Sequence, residues 1–397
     1  MAQAVWLDAK TSHRLMDVLT EGGVPARFVG GCVRDALLGQ SPPNVDLDVA
    51  TPLLPDQVID RLESSGIKAL PTGLKHGTIT AVVEGRSFEI TTLRKDVACD
   101  GRHAVVEFTD DFELDAARRD FTINAMSADR RGQLFDYFGG LEDLRVGKIR
   151  FVGDARLRVR EDYLRILRYF RFYARNGRPP ADRAALEACR EAAPGLTQIS
   201  GERIRSEVLK LLSATKAASA LALMIEHNIL SPIMSIDIDP SSLVRLVTLA
   251  PHSDALVRLA AVLRSSQDSP SALRAVSAWR FSNAQFSRLE QLTLEPSFTL
   301  PLTEADSRRL VYRLGEDTYR DLLALSAKTL DELNAALPIP KIPPFPLRGQ
   351  DLIDRGVPTG PDLGQRLKQL EDWWLENDLQ PDRNATIEEL DRLLSDS

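Results

Sequence analysis

Cysteine is scarce in this 397-residue chain: Cys32, Cys99 and Cys189 stand far apart, with no C-x-x-C spacing. That excludes a disulfide framework and offers no zinc site, so the three read as ordinary thiols. Long apolar runs are missing as well. Nothing approaches the roughly 20 consecutive residues a membrane span needs, and the first residues show no basic segment leading into an apolar core. A cytoplasmic protein is expected. Internal repeats and low-complexity tracts are also absent. What is present is a globular composition, 43% hydrophobic and 27% charged, in a chain longer than one ordinary core. Two or more packed units are therefore expected.

The net charge is −7, and residues 351–397 alone, with twelve acidic and five basic side chains, account for it. Between Arg145 and Arg178 the balance reverses, with eleven basic residues against three acidic ones. An acidic chain with a localised basic belt can still capture a polyanion, because affinity follows the charges near the phosphates. The bland alternative is a solvated basic helix.

Residues 1–24 read as a helix stopped at Glu21-Gly22-Gly23. From 26 to about 138, β-rich runs alternate with helical ones: Arg27–Val29, Asp46–Ala50, Thr78–Val83, Ser87–Thr92 and Leu134–Tyr137. The third and fourth flank Glu84-Gly85-Arg86, a hairpin turn. After Gly153 helical periodicity dominates, with candidate breaks at 176–180, 231–232, 267–270 and the proline-rich 338–346. The expected fold class is α+β, a small mixed sheet with helices packed on it, followed by an all-helical remainder.

The chemistry concentrates first in Phe28-Val29-Gly30-Gly31-Cys32-Val33-Arg34-Asp35-Ala36-Leu37-Leu38-Gly39 and then in Asp46-Leu47-Asp48. Two glycines let the backbone approach phosphates, the following helix offers unpaired N–H groups, and Arg34 adds a fixed positive charge. In a strand, side chains at i and i+2 share a face, so Asp46 and Asp48 address one spot. Paired carboxylates are a platform for Mg²⁺, which takes oxygen ligands together with substrate phosphates. Glu89, by alternation with Phe88 and Ile90, reads equally as a third metal ligand or as an exposed strand residue.

The segment from Gly30 to Asp48 resembles the first motif of the nucleotidyltransferase superfamily that includes DNA polymerase beta, and more narrowly the class II tRNA nucleotidyltransferases (CCA-adding enzymes) with their bacterial poly(A) polymerase relatives. The family pattern G-G-x-V-R-D-x-L-L-G, then D-x-D, is matched without a gap. The resemblance covers roughly residues 26–212 strongly and 348–383 more weakly. It implies a polymerase-beta-like head over 1–150, a helical neck with the nucleotide-selecting residues over 151–215, and a helical body and tail binding tRNA over 216–397. Gly31 and Arg34 join the nucleotide-binding set.

Ala117-Arg118-Arg119-Asp120-Phe121-Thr122-Ile123-Asn124-Ala125 resembles the second motif. There Arg119 binds phosphate, while Asp120 is either a helix cap or the acceptor of a ribose hydroxyl. Arg160 to Arg171 reads as one amphipathic helix burying Tyr163, Ile166, Leu167 and Phe170, with Asp162 and Arg165 as i,i+3 neighbours. Glu161-Asp162-Tyr163-Leu164-Arg165 matches the family's E-D-x-x-R. Cytosine and adenine both present an amino donor beside a ring-nitrogen acceptor, so Asp162 can accept from the first while Arg165 donates to the second. Uracil and guanine reverse that order and leave both side chains mismatched. Arg168 and Arg171 would hold triphosphate or primer phosphate.

Lys95–His103 reads as a polar surface loop; in the family a flexible loop stands here, and Asp100-Gly101-Arg102 looks similar to it. Gly201-Glu202-Arg203-Ile204-Arg205 begins a helix suited to RNA or to the neck–body junction, and Trp373 and Trp374 read as packing residues of the tail. The five histidines do not form the His-Asp cluster of a phosphohydrolase domain. The implied activity is addition of C, C and A to the tRNA 3′ end from CTP and ATP, with Mg²⁺. Poly(A) polymerase, a partial CC- or A-adding enzyme, a catalytically inactive tRNA-binding protein and a nucleotide-sugar transferase are the other readings. The basic belt makes tRNA binding steeply salt-dependent: a titration from 50 to 200 mM salt should lower affinity by at least about tenfold, and a flat response contradicts the belt's role.

Overall fold

The computed structural model describes residues 4–40, 45–99, 104–234 and 236–395. The chain divides into two compact units, one made of the residues up to Ile236 with Ala275–Arg280, the other of Asp237–Arg274 with the residues from Phe281 onward.

The first unit opens with helix α1 (Lys10–Leu19), shorter than the expected 1–24, and a single helical turn over Glu21–Gly23 in which Gly22 and Gly23 take positive φ. Then follow β1 (Arg27–Val29), α2 (Gly31–Leu37), β2 (Leu47–Thr51), α3 (Pro55–Ser64), β3 (Lys68–Gly73), β4 (Thr78–Val83) and β5 (Arg86–Thr92). After a two-stranded ribbon of β6 (Arg94–Cys99) and β7 (Ala104–Phe108) come α4 (Phe112–Ala117), β8 (Ser127–Ala128), β9 (Leu134–Phe135) and α5 (Gly140–Val146). Seven strands form one mixed sheet in the order β3-β4-β5-β2-β1-β8-β9, with only β2 and β5 parallel. The β4–β5 hairpin pairs Val83 with Arg86, so its turn is Glu84-Gly85. Leu47, Val49, Phe88 and Ile90 are buried, as alternation required.

Strand β3 had no signal in the sequence. Pro71 interrupts it, and a proline is tolerated there because β3 is the sheet edge. The β6–β7 ribbon occupies much of the expected loop; Asp100–His103 lie outside the described residues.

Helices α6 (Ala155–Glu161), α7 (Leu164–Asn176), α8 (Arg183–Ala192), α9 (Gly201–Leu212) and α10 (Ala217–Glu226) complete the first unit's main elements. The single helix expected over 160–171 is two: Asp162 takes an extended conformation (φ −155°, ψ 106°) and separates α6 from α7. Ile166, Leu167 and Phe170 are buried as expected, but Tyr163, at the break, is only half-buried. Phe121 stacks near Phe151 (centroids 4.9 Å) and Phe172 (5.2 Å), and Phe151 near Tyr169 (5.8 Å), so aromatic packing fixes α7 against the sheet-bearing part.

The second unit contains α11 (Ser241–Leu249), α12 (Ala255–Arg264), the start of α13 (Ser269–Ser277), α14 (Asn283–Leu294), α15 (Glu304–Leu314), α16 (Glu316–Ser326), α17 (Leu330–Ala336), α18 (Gly349–Ile353), α19 (Pro361–Glu376) and α20 (Arg383–Ser395). Trp374 is buried and donates its indole N–H to the Pro381 carbonyl at 2.9 Å, a packing role as expected; Trp373 is half-buried. Among the described residues no helix is long and apolar enough to cross a membrane.

Gly140 starts α5 with its Cα against the carbonyl of Thr122, leaving no room for a Cβ, whereas Gly364 in α19 faces open space. Gly140→Ala should therefore destabilise by about 1–3 kcal/mol, and Gly364→Ala should stabilise by about 0.5–1 kcal/mol. Denaturant unfolding of both variants checks the opposite signs.

Candidate active site

Gly30 holds φ 75° and ψ −125°, a conformation that favours glycine. A Cβ there would lie 2.9 Å from Nη1 of Arg119 and 4.0 Å from Oδ2 of Asp48, so the turn after β1 brings bare backbone beside a guanidinium and a carboxylate. Asp46 is exposed just before β2, and Asp48 is half-buried within it. The parallel register sets Glu89 of β5 beside Asp48. Burial pushes the Asp48 carboxyl up to about 6; Glu89 and Asp46 raise it and Arg119 opposes them. Two carboxylates acting on a third, with a single opposing arginine, leave an excess of negative charge beside the Gly30 turn. That fits a divalent cation bound by Asp46 and Asp48. Among the described residues no three His, Cys, Asp or Glu side chains are gathered tightly enough to hold a metal alone. A divalent cation at this spot would draw its remaining ligands from water or from substrate oxygens.

Arg34, on α2, is 5% exposed. Its Nε donates to Asp35 (2.9 Å) and its Nη1 to Oδ1 of Asn124 (2.5 Å); burial draws its pKa down, with Asp35 opposing. Asn124 in turn donates to Oδ1 of Asp120 (3.0 Å), which also accepts from the Phe121 N–H (2.9 Å). Oδ2 of Asp120 accepts from Nε of Arg168 at 2.7 Å. Burial alone would raise Asp120, but Arg168 and Asn124 outweigh it and hold the carboxyl below its ordinary range. Both oxygens of Asp120 are thus engaged inside the protein. Arg171 donates to Glu207 (2.6 Å), and Arg34, Arg168 and Arg171 all lie over the Phe172 ring, at 5.1, 5.6 and 4.3 Å. Arg119 donates to Asp115 (3.2 Å); burial works against that carboxylate, yet Arg119 and Arg118 keep it below its usual value.

The break between α6 and α7 changes how Asp162 and Arg165 meet. Asp162 accepts from the Leu164 N–H (3.0 Å) and from Nη2 of Arg203 on α9 (2.7 Å). Arg165 donates to Glu161, to the Arg158 carbonyl (2.9 Å) and to the Arg118 carbonyl (3.4 Å). The two are not paired with each other; separate neighbours hold each of them. Gly30, Gly31, Arg34, Asp48, Arg119, Asp120, Asp162, Arg165 and Arg168 line one pocket of about 470 Å³, joined by Arg118, Asn124, Leu164, Phe172 and Arg203. Asp46, Glu89 and Arg171 are not among its lining. Of the residues with no role assigned from the sequence, Arg118 and Asn124 stood inside the second motif, and Arg203 had only its basic helix start as a signal. Nothing pointed to Phe172. Nine of the eleven basic residues between Arg145 and Arg178 are ion-paired, several to carboxylates distant in sequence such as Asp35, Asp120, Glu191 and Glu207.

Residues 26–150 match the Poly A polymerase head domain, and residues 182–236 match the family described as the probable RNA and SrmB-binding site of polymerase A. The chain is 36% identical over 400 residues to the mitochondrial CCA tRNA nucleotidyltransferase 1 of Danio rerio, covering 95% of this chain and 89% of that one. Against the human counterpart it is 38% identical over 373 residues, covering 91% and 85%. The chain belongs to the CCA-adding tRNA nucleotidyltransferase family. The Bacillus stearothermophilus CCA-adding enzyme, solved in complex with CTP, shares its fold with a TM-score of 0.73 at 27% identity, over 98% of this chain and 99% of that one. Membership makes the protein a nucleotidyltransferase that uses a divalent metal, and its α+β architecture is the family's.

The raised Asp48 value has a direct consequence for the metal-free protein. A folded-state value of about 6 against an ordinary 3.8 penalises folding fully above pH 6, less as pH falls toward 3.8, and not at all below it. Asp48→Asn should raise the unfolding midpoint by a few degrees at pH 7.5 in chelator, with the gain over the parent vanishing near pH 4. An equal gain at both pH values contradicts the assignment.

Proposed function

We propose that this protein adds C, C and A to the 3′ end of tRNA from CTP and ATP, and that the 470 Å³ pocket between the Gly30 turn and α7 performs the selection and the transfer. The observation that carries this reading is the convergence in one cavity of a phosphate-ready glycine turn, Asp48, a set of arginines, and the separately held Asp162 and Arg165. We infer further that Asp46 and Asp48 hold Mg²⁺, with Glu89 adding negative charge from the neighbouring strand. Magnesium bound there supplies acidity to the attacking 3′-hydroxyl and charge neutralisation to the triphosphate.

The protein's own groups divide the remaining work. Gly30, Gly31 and Arg119 receive the triphosphate, the glycine turn through bare backbone and Arg119 through its guanidinium beside Asp48. Arg34 and Arg168 add fixed positive charge, both set in place by the Asn124–Asp120 relay. Arg171 acts one layer out, bracing the Phe172 ring and Glu207. Asp120, with both oxygens engaged, organises arginines in this reading and reaches a ribose hydroxyl only by sharing lone pairs. Asp162 is the acceptor and Arg165 the donor for the base edge. Arg203 occupies Oδ2 of Asp162 and orients that carboxylate, and Glu161 sets the direction of Arg165. A base that presents a carbonyl to Asp162 and an N–H to Arg165 leaves buried groups unpaired.

The division of the chain follows the same scheme: head 1–150 for chemistry, neck 151–215 for base selection, and 216–397 for tRNA. Cytoplasmic placement is part of this reading, supported by the unpaired, buried thiols of Cys32 and Cys189. Asp46→Ala and Asp48→Ala should each abolish incorporation while leaving tRNA binding in place. Asp162→Ala should relax discrimination against UTP and GTP more than it weakens nucleotide binding, whereas Arg168→Ala should weaken all four nucleotides together. Incorporation efficiencies for CTP, ATP, UTP and GTP decide it: a uniform loss in Asp162→Ala removes the base-selecting assignment.

A further inference from the structure

The second unit carries 25 acidic and 17 basic side chains, an unfavourable background for any anion. Against it stands one cavity of about 450 Å³, lined by Ser242 and Arg245 of α11, Arg264 at the end of α12, Ser269 at the start of α13 and Thr293 near the end of α14. Two guanidinium groups share this space. Arg264 donates Nη1 to the carbonyls of Leu292 (2.8 Å) and Glu295 (2.6 Å) and Nη2 to the Ser297 hydroxyl (2.7 Å), all neutral acceptors. Arg245 has one long bond, 3.5 Å, to the Leu325 carbonyl. Among the described residues neither has an ion-pair partner. Burial lowers the Arg264 pKa, Glu295 opposes that, and the charge of Arg245 adds to the lowering. The carboxylate of Glu295, which also lines the cavity, is bonded to Arg313. That of Asp239, which lies within electrostatic reach of Arg245, accepts from Ser241.

The second observation is Thr293. It is 3% exposed, it lines the same cavity, and its hydroxyl has no hydrogen-bond partner. A buried hydroxyl without a partner forfeits its hydration, a loss that a ligand oxygen restores. Two cations without an ion-pair partner, in a cavity whose Glu295 carboxylate is already bonded to Arg313, stand with an unsatisfied buried hydroxyl and two further serine hydroxyls as a donor set with a deficit of acceptors.

We propose that this cavity binds a phosphoryl group. A phosphoryl oxygen set supplies the negative charge the arginines lack and the acceptors that Thr293, Ser242 and Ser269 offer donors to. The acidic surroundings restrict the site to a ligand of small footprint, one phosphoryl group rather than a run of them. The site lies outside both regions matched by the family descriptions and does not depend on the reading of the catalytic pocket. The group has two sources, a free phosphate ion or a single backbone phosphate of bound RNA.

The test uses the full chain, its Arg245→Ala and Thr293→Val variants, and two probes at constant ionic strength. Calorimetric titration with inorganic phosphate should show a binding event weakened by about tenfold or more in Arg245→Ala and clearly weakened in Thr293→Val, with the unliganded unfolding midpoint of Arg245→Ala close to the parent's and that of Thr293→Val at or above it. Phosphate bound at the catalytic pocket is unaffected by either substitution and cancels in the comparison. In the second arm a tRNA transcript lacking CCA is titrated: loss of affinity in both variants, without a variant-sensitive phosphate event, assigns the site to an RNA phosphate. If neither probe distinguishes the variants from the parent by more than about twofold, the proposal fails. It fails equally if Arg245→Ala weakens binding while Thr293→Val leaves it unchanged, because the effect is then diffuse surface charge and not the cavity.

Discussion

The ion pair between the buried Asp120 and the half-buried Arg168 is the contact on which the pocket depends. It joins the segment after α4 to α7, two elements 48 residues apart in sequence. Through Asn124 the same carboxylate reaches Arg34 on α2. Breaking a buried pair by removing one partner typically costs about 3–5 kcal/mol, because the other charge remains without compensation. Here the loss would extend further. Arg34, Arg168 and Arg171 are set around one aromatic ring, Phe172, and like charges gathered so closely need carboxylates to hold them. Asp35, Asp120 and Glu207 do so from different elements. The positive wall of the pocket is therefore a property of a network and of no single residue.

The opposite wall is negative and left partly uncompensated. Asp48 is half-buried beside Glu89, with Arg119 as the opposing charge. The arginines are neutralised internally, whereas Asp48 stands against two further carboxylates. The two walls meet at Gly30, where the absence of a side chain keeps Arg119 and Asp48 in the same space. Any Cβ there intrudes on the guanidinium. The backbone conformation is what favours glycine at this position, and a Cβ would in addition oblige the end of the Arg119 side chain to shift.

Asp162 and Arg165, the pair proposed to select the base, show the same logic in finer form. Had α6 and α7 been one helix, Asp162 and Arg165 would have been free to pair with each other across a turn, and a paired acceptor and donor read nothing. The extended conformation at Asp162 ends α6 and lets α9 supply Arg203 as its counter-ion. Glu161 takes Arg165. Each group is thereby held by its own partner while both line the same pocket.

By itself the sequence determined the local elements and the chemistry they carry. The glycine turn, the D-x-D strand, the β4–β5 hairpin and the apolar face of α7 follow from spacing and from backbone preferences that act over a few residues. The first and second motifs and E-D-x-x-R name most of the pocket's lining. What tertiary structure decided is whatever depends on partners distant in the chain. The basic belt looked like free positive charge because a sequence window cannot count Asp35, Glu191 or Glu207 as its neighbours, and most of the belt is in fact paired. Asp120 looked like a cap or a ribose contact until Arg168 and Asn124 occupied it. Strand β3 had no alternation to show because an edge strand with a proline needs only one paired side. Electrostatic roles are set by distance in space, and distance in space is what local pattern does not encode.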